Sequence, residues 1–154
     1  MRAEAHWQQE AVANASPWPD PPLEAALLVG EVHVVERKTK VLIVEDEIIV
    51  GLDLADVLKD EGFETYGPYR STGGAIEAFE EVAPEIGVFD INLGADGTSH
   101  EIAERFQRDG KPFVFLTGYG AAGNEVMSRF PNARSLTKPV DPRAVASLLR
   151  SVLG

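Results

Sequence analysis

Carboxylates, a hydroxyl and an amine each stand directly after a short stretch that is typical of a β-strand. In chain order these residues are Glu45 and Asp46, Asp90, Thr117 and Lys138. If the stretches are parallel strands of one sheet, their carboxyl ends meet at a single edge, where such sheets bind ligands. Three crowded carboxylates stay ionised together only when a cation joins them, and oxygen ligands select a hard ion. The sequence therefore predicts a Mg²⁺ site at this edge.

Asp90 is the candidate nucleophile of this group. A carboxylate can accept a phosphoryl group as an aspartyl phosphate, and bound Mg²⁺ keeps waters that a phosphoryl oxygen can replace. The Lys138 ammonium, the Thr117 hydroxyl and the backbone amides after Asp90 would balance the charge spread over the transferred group. We predict that Asp90 is a phosphoacceptor and that Lys138 and Thr117 assist the transfer.

Each of these residues, taken alone, also has a purely structural interpretation. Acids before a helix interact favourably with its N-terminus, so Glu45 and Asp46 could be a helix cap. Asp90 and Asn92 could form turns, while the hydroxyl could cap a helix and the amine could be a solvated charge. The combination of all these groups, each at the end of a predicted strand, is much more specific than any one of them.

The elements that must position these groups alternate along the chain. Apolar or β-branched runs predict strands over residues 40–44, 63–66, 86–89, 113–116 and 134–137. Helical spacing of apolar residues and the capping signals predict helices over 47–59, 72–83 and 100–108, a short one after Gly123, and one from 142 to the last residue. The strand over residues 63–66 is expected to end at Gly67-Pro68.

This alternation indicates the α/β class with helices on both faces of a parallel sheet. One doubly wound five-stranded unit fits, with the flavodoxin-like (βα)5 order 2-1-3-4-5. In that order the first and third strands are neighbours, so Glu45-Asp46 should meet Asp90. We expect residues 40–154 to form this one domain, with no output domain.

Composition limits the classes of function. The 154 residues carry a formal net charge of −11, which argues against direct binding to nucleic acid, since that requires a basic face. There is no cysteine, which excludes disulfides and thiolate sites. The longest apolar stretch near the start is too short to span a membrane, and the start lacks the layout of a signal peptide. We expect a soluble, cytoplasmic protein.

Residues 1–39 differ in composition from the rest of the chain. Four prolines fall within residues 16–22, which predicts extended or irregular backbone. We expect this extension to be loosely ordered. A docking segment is the alternative.

Residues 40–154 resemble the receiver domain of two-component response regulators. The resemblance rests on the acidic motif Val41–Glu47, on Asp90 at the phosphoacceptor position, on Thr117 at the switch hydroxyl position and on Lys138-Pro139. It covers the whole chain after the N-terminal extension.

The resemblance implies a Mg²⁺ ligand set and an activity. Asp46 and Asp90 would bind Mg²⁺ directly, together with the backbone carbonyl of Asn92, and Glu45 would act mainly through water. A sensor histidine kinase would donate its phosphoryl group to Asp90. The domain would catalyse only this transfer and the slow hydrolysis of its product, and would not be a dedicated enzyme. It would signal to a downstream protein partner, or exchange phosphate with a phosphotransfer protein, as phosphorylation drew Thr117 toward the phosphate.

The sequence departs from the common receiver pattern near the predicted switch. Many receivers have a large aromatic residue three positions before the lysine, and here that residue is Ser135. The stretch Phe115–Gly120 resembles the motif of the single-domain FAT GUY regulators, which reads Phe-Ala-Thr-Gly, an apolar residue, then Tyr. Leu116 replaces the alanine of that motif, Tyr119 fills the apolar position and Gly120 replaces the final tyrosine. We hypothesise that Tyr119 replaces the missing switch aromatic. The alternative is a static surface tyrosine.

Three other classes of protein fit these residues less well. A phosphohydrolase with Asp90 as nucleophile would commonly need a second acid two residues later, where Asn92 stands. A receiver-like interaction module that is never phosphorylated would not need the complete set of acids, hydroxyl and lysine. A Rossmann-type nucleotide-binding domain would need a glycine-rich phosphate loop, which residues 44–47 do not supply.

Overall fold

The computed structural model describes residues 36–118 and 120–154. The predictions for residues 1–35 and for Tyr119 lie outside the described residues. Residues 36–39, the end of the predicted extension, have no regular secondary structure. Among the described helices, none combines the length and the apolar character needed to cross a membrane.

Five strands and five longer helices alternate in the described part of the chain. The strands are β1 (Lys40–Val44), β2 (Glu64–Tyr69), β3 (Ile86–Asp90), β4 (Phe113–Thr117) and β5 (Arg134–Thr137). The helices are α1 (Ile48–Asp60), α2 (Thr72–Val82), α3 (His100–Arg108), α4 (Ala121–Arg129) and α5 (Pro142–Leu153). A single 3-10 turn, Gly94–Asp96, lies between β3 and α3.

All strand pairs are parallel, and the order in the sheet is β2-β1-β3-β4-β5. This confirms the predicted flavodoxin-like doubly wound fold. Val44 pairs with Phe89 across β1 and β3, so the residues that follow Val44 leave the sheet beside the end of β3. Thr117 pairs with Thr137 at the end of β4 and β5. The register thus brings the ends of four strands to one edge.

The prediction for β2 was wrong at its end. The strand was expected to stop at Gly67-Pro68, but it continues to Tyr69, whose carbonyl accepts a hydrogen bond from the Glu45 amide at 2.9 Å. Proline is tolerated here because β2 is an edge strand and one side of it needs no hydrogen-bond donors. A shift of register opposite Ile43 and the positive φ of 112° at Gly67 absorb the irregularity.

Two apolar cores cover the two faces of the sheet. One joins β1, β3 and β4 to α1 and α5 through residues such as Leu54, Leu58 and Leu149. The other joins the sheet to α2, α3 and α4, and Phe89, Phe106 and other phenylalanines form edge-to-face pairs in it. The central strands β1 and β3 have apolar side chains in both cores, which is why their sequences are continuous apolar runs.

Side chains cap two of the helices as the sequence predicted. The Ser71 hydroxyl accepts a hydrogen bond from the Gly74 amide at 3.2 Å, and the Asp141 carboxylate accepts one from the Arg143 amide at 2.9 Å. The residue at the N-cap of α1 is Glu47, whose side chain makes no capping bond. The carboxylates of Glu45 and Asp46 therefore do not serve as the N-cap of α1.

Candidate functional site

Three carboxylates converge where β1 and β3 end. Glu45 and Asp46 follow the last residue of β1, and Asp90 is the last residue of β3. One oxygen from each lies within 4.8 Å of the others. Glu45 is 0% exposed and Asp90 is 4% exposed, whereas Asp46 is half-buried. Neighbouring parallel strands therefore bring two buried acids and a third, more accessible one to a single point, as predicted.

Lys138, directly after β5, reaches into this cluster. Its Nζ donates a hydrogen bond to Asp90 Oδ2 at 2.9 Å and lies 2.9 Å from Glu45 Oε2 and 3.8 Å from Glu47 Oε1. Its backbone amide also donates to the Thr117 carbonyl at 2.8 Å. This main-chain hydrogen bond holds the Lys138 backbone beside the end of β4. One ammonium group thus balances two buried carboxylates.

The contact between Lys138 and Glu45 does not satisfy the glutamate. The distance of 2.9 Å is that of an ion pair, but the angles are not those of a hydrogen bond. Glu45 Oε2 is accordingly buried without a hydrogen-bond partner in the described part of the chain. The other oxygen, Oε1, accepts a hydrogen bond from the Glu47 amide at 3.1 Å. A buried anionic oxygen without a partner is costly, and a cation at this point would satisfy it.

Burial dominates the electrostatics of the cluster. It raises the pKa of Glu45 to about 7, against the nearby Lys138 ammonium and together with the negative charge of Asp90. Burial also raises the pKa of Asp90, although the hydrogen bond from Lys138 opposes this. For Lys138, burial acts to lower the pKa, but the contacts with Asp90 and Glu45 outweigh it and raise the pKa. One ammonium group balances only part of the negative charge of three carboxylates, so the donor set fits a divalent cation.

The loop after Asp90 is shaped by Asn92. Its side-chain oxygen accepts a hydrogen bond from the Gly94 amide at 2.9 Å, which is an Asx turn. Asn92 lines the same crevice as Asp46 and Asp90. The prediction that the Asn92 side chain forms a turn is therefore correct. This turn does not use the backbone carbonyl of Asn92, which is the predicted metal ligand.

Thr117 ends β4 at the same edge, but its hydroxyl does not contact the acids. Thr117 Oγ1 donates to the carbonyl oxygen of Gly118 at 2.9 Å. Nor does it cap α4, whose N-cap is Gly120. Ser135, on the edge strand β5, is exposed. The structure thus brings together four of the predicted site groups and leaves the hydroxyl beside them.

A crevice of about 500 Å³ lies over Asp90 and has a wall of small residues. Gly118, Gly120 and the first turn of α4, Ala121–Gly123, form this wall opposite the acids. The sequence did not assign these residues to the wall of a site. Nor did it assign Gly94, which has a positive φ of 66° and where an added Cβ would lie 3.2 Å from Asp46 Oδ2. Glycines next to predicted site residues were the signal that could have identified this wall.

The chain is similar to known proteins over about three quarters of its length. No family model matches it. Over 117 residues it is 27% identical to the transcriptional regulatory protein PdtaR of Mycobacterium tuberculosis, and the match covers 73% of this chain and 54% of the relative. The crystal structure of a CheY-like response regulator receiver domain protein from Methanospirillum hungatei JF-1 superposes with a TM-score of 0.65 and 26% identity, covering 76% of this chain and 94% of that chain.

The domain has the fold of response-regulator receiver domains and resembles them in sequence. The receiver domain of a modulated diguanylate cyclase from Desulfovibrio desulfuricans G20 is similar to the same degree, with a TM-score of 0.64 and 25% identity over 76% of this chain and 92% of that chain. These matches confirm the predicted resemblance to CheY-like receiver domains. The predicted FAT GUY subclass and the role of Tyr119 stay predictions. The chain spans about half the length of the curated relatives it matches.

Proposed function

We propose that this receiver domain accepts a phosphoryl group on Asp90 from a sensor histidine kinase and passes the signal to a protein partner or to a phosphotransfer protein. The observation that carries the proposal is the contact of one ammonium group with two buried carboxylates. Lys138 Nζ lies 2.9 Å from both Asp90 Oδ2 and Glu45 Oε2. A buried acid is thereby held next to a fixed positive charge, at the open edge of a sheet where a donor can approach.

The residues present fit Mg²⁺ as the cofactor of this reaction. The carboxylates of Glu45, Asp46 and Asp90 offer oxygens within 4.8 Å of one another, and oxygen ligands suit this ion. Asp46 and Asp90 with the Asn92 carbonyl would hold Mg²⁺ directly, and Glu45 would hold it through water. When bound, the ion would neutralise charge on the phosphoryl oxygens.

The residues of the chain supply the rest of the chemistry. A carboxylate oxygen of Asp90 attacks phosphorus as the bond from phosphorus to the donor histidine nitrogen breaks, which leaves an aspartyl phosphate. The Lys138 ammonium already contacts Asp90 and is placed to form an ion pair with the new phosphoryl group. The Thr117 hydroxyl would leave Gly118 and donate to a phosphoryl oxygen. This exchange of partners would report the state of Asp90 to α4 and β5.

Incubation with acetyl phosphate and Mg²⁺, followed by intact mass measurement, tests the proposal. We expect the mass of one phosphoryl group to be added to the wild-type protein, and none to be added to Asp90→Asn or in the presence of a chelator. Asp56→Asn removes an exposed acid of α1 and should be labelled like the wild type. A protein that stays unlabelled would contradict the proposal, and so would rapid release of phosphate without an adduct, which a phosphohydrolase would give.

A further inference from the structure

The first turn of α4 lies directly against the Thr117 hydroxyl. A Cβ added at Gly123 would be 3.1 Å from Thr117 Oγ1 and 3.7 Å from the Gly118 carbonyl oxygen. These two atoms are the donor and the acceptor of the 2.9 Å hydrogen bond that Thr117 makes. The missing side chain of Gly123 therefore leaves the space in which this hydrogen bond forms.

A side chain at residue 123 would crowd the Thr117 hydroxyl in the place where it donates to Gly118. A carbon–oxygen distance of 3.1 Å is shorter than an ordinary van der Waals contact, so one of the two groups must give way. Threonine occupies discrete staggered χ1 rotamers, so a side chain at residue 123 disfavours the rotamer in which the Thr117 hydroxyl donates to Gly118 relative to the others. The helix has less freedom to move away, because Val126 within it and Phe130 directly after it are buried in the core, 4% and 2% exposed.

We propose that Gly123 is a positioning residue that keeps the Thr117 hydroxyl on Gly118 in the unphosphorylated protein. The proposal rests on the proposed function, in which this hydroxyl later donates to a phosphoryl group on Asp90. Because Gly123 leaves room for the hydrogen bond to Gly118, that bond must break before the Thr117 hydroxyl can donate to the phosphoryl group. Phosphorylation is therefore less favourable than it would be without this bond. The residue at position 123 thereby sets the balance between the two positions of the hydroxyl.

Gly123→Ala in the full chain tests the positioning step without any phosphoryl donor. NMR measurement of the Thr117 χ1 couplings and methyl shift should show a change of rotamer relative to the wild type. Gly73→Ala is the matched control, since Gly73 lies in the first turn of α2 and an added Cβ would meet nothing within 4 Å. It should leave the Thr117 signals unchanged. Thr117 couplings in Gly123→Ala identical to those of the wild type would overturn the proposal.

The rate of labelling by acetyl phosphate tests the consequence. Because the bond to Gly118 no longer has to be broken, Gly123→Ala should be labelled about three- to tenfold faster, a ratio typical of losing one hydrogen bond. In a Thr117→Val background, Gly123→Ala should change the rate by less than twofold. An equal acceleration in both backgrounds would overturn the proposal. If even the wild type is not labelled, the proposed function is wrong, whereas the NMR comparison still decides whether Gly123 positions Thr117.

Discussion

At the scale of single residues, the Lys138 ammonium and a divalent cation would bind the same two carboxylates. The Lys138 ammonium contacts one carboxylate oxygen of Asp90 and one of Glu45, each at 2.9 Å. A divalent cation would draw on the same two side chains and on Asp46. Lysine and metal would therefore compete for these carboxylates, although both would stabilise a phosphoryl group on Asp90.

Lys138→Met separates these two roles. With one positive charge removed from the cluster, the affinity for Mg²⁺ should rise by about tenfold, the size of effect expected from a nearby like charge. Labelling by acetyl phosphate should fall by about a hundredfold or more, because a charge-stabilising donor is lost. Calorimetric titration with MgCl₂ and a time course of intact mass measure the two quantities.

Lys59→Met is the control for the loss of charge, since Lys59 is exposed in the last turn of α1. It should leave both Mg²⁺ affinity and labelling unchanged. Weaker Mg²⁺ binding in Lys138→Met would contradict the competition inferred from the geometry.

At the scale of elements, the close approach of α1 to β2 depends on a glycine. Gly51 is buried in the middle of α1, and an added Cβ would lie 2.4 Å from Pro68 Cβ. Helix propensity alone would favour alanine over glycine here. Packing overrides it, because the irregular end of the edge strand lies directly on this turn of the helix.

Gly51→Ala should therefore destabilise the fold by about 1–3 kcal/mol, the range for overpacking a close contact. The measurement is the free energy of unfolding in urea. Gly73→Ala, in an open turn of α2, should leave stability unchanged or raise it by up to about 1 kcal/mol. Equal stability of Gly51→Ala and the wild type would show that α1 and β2 are not held in this contact.

The sequence predicts elements well where burial imposes a pattern. The runs 41–44 and 86–89 are fully buried and are continuous apolar stretches, so the strands and their neighbouring ends could be predicted. The end of β2 could not, because an edge strand needs no apolar run and tolerates Gly67-Pro68. Helical spacing of apolar residues also places Val50 on the face of α1 that carries Leu54, yet Val50 is 39% exposed.

The acids and the lysine of the site could be placed from sequence because strand order alone brings them together. The direction of the Thr117 hydroxyl could not be placed. It depends on one rotamer, on the Gly118 carbonyl and on the space left by Gly123, and none of these follows from the periodicity of the chain.

At the scale of the whole molecule, the sheet is also fastened at the edge opposite the site. Glu85 lies just before β3, and its carboxylate accepts a hydrogen bond from the Lys40 amide at 2.9 Å and forms an ion pair with Arg37 at 3.0 Å. The bond from the Lys40 amide is the main reason that the pKa of Glu85 is lowered. One carboxylate thus fixes the start of β1 against the start of β3.

Glu85 should make the stability of the domain depend on pH. Because the pKa is lower in the folded protein than its ordinary value of 4.5, the stabilisation is present above about pH 4.5 and is lost as pH falls below it. Glu85→Gln keeps a neutral acceptor and should be less stable by about 1 kcal/mol at pH 7. This difference should shrink toward zero near pH 3 in urea unfolding series.

Glu81→Gln, which changes an exposed glutamate of α2, is the matched control and should follow the wild type throughout. A difference between Glu85→Gln and the wild type that stays constant from pH 3 to pH 7 would show that the charge of Glu85 does not act through this contact.

The central claim is that Asp90, and no other carboxylate of the cluster, carries the phosphoryl group. Borohydride reduction of the labelled protein converts an aspartyl phosphate to homoserine, and tandem mass spectrometry locates the change. We expect homoserine at position 90 after treatment with acetyl phosphate and Mg²⁺, and an unaltered aspartate there without the donor. Reduction at Asp46 or Glu45, or no reduced residue in a protein that gained the mass of a phosphoryl group, would contradict it.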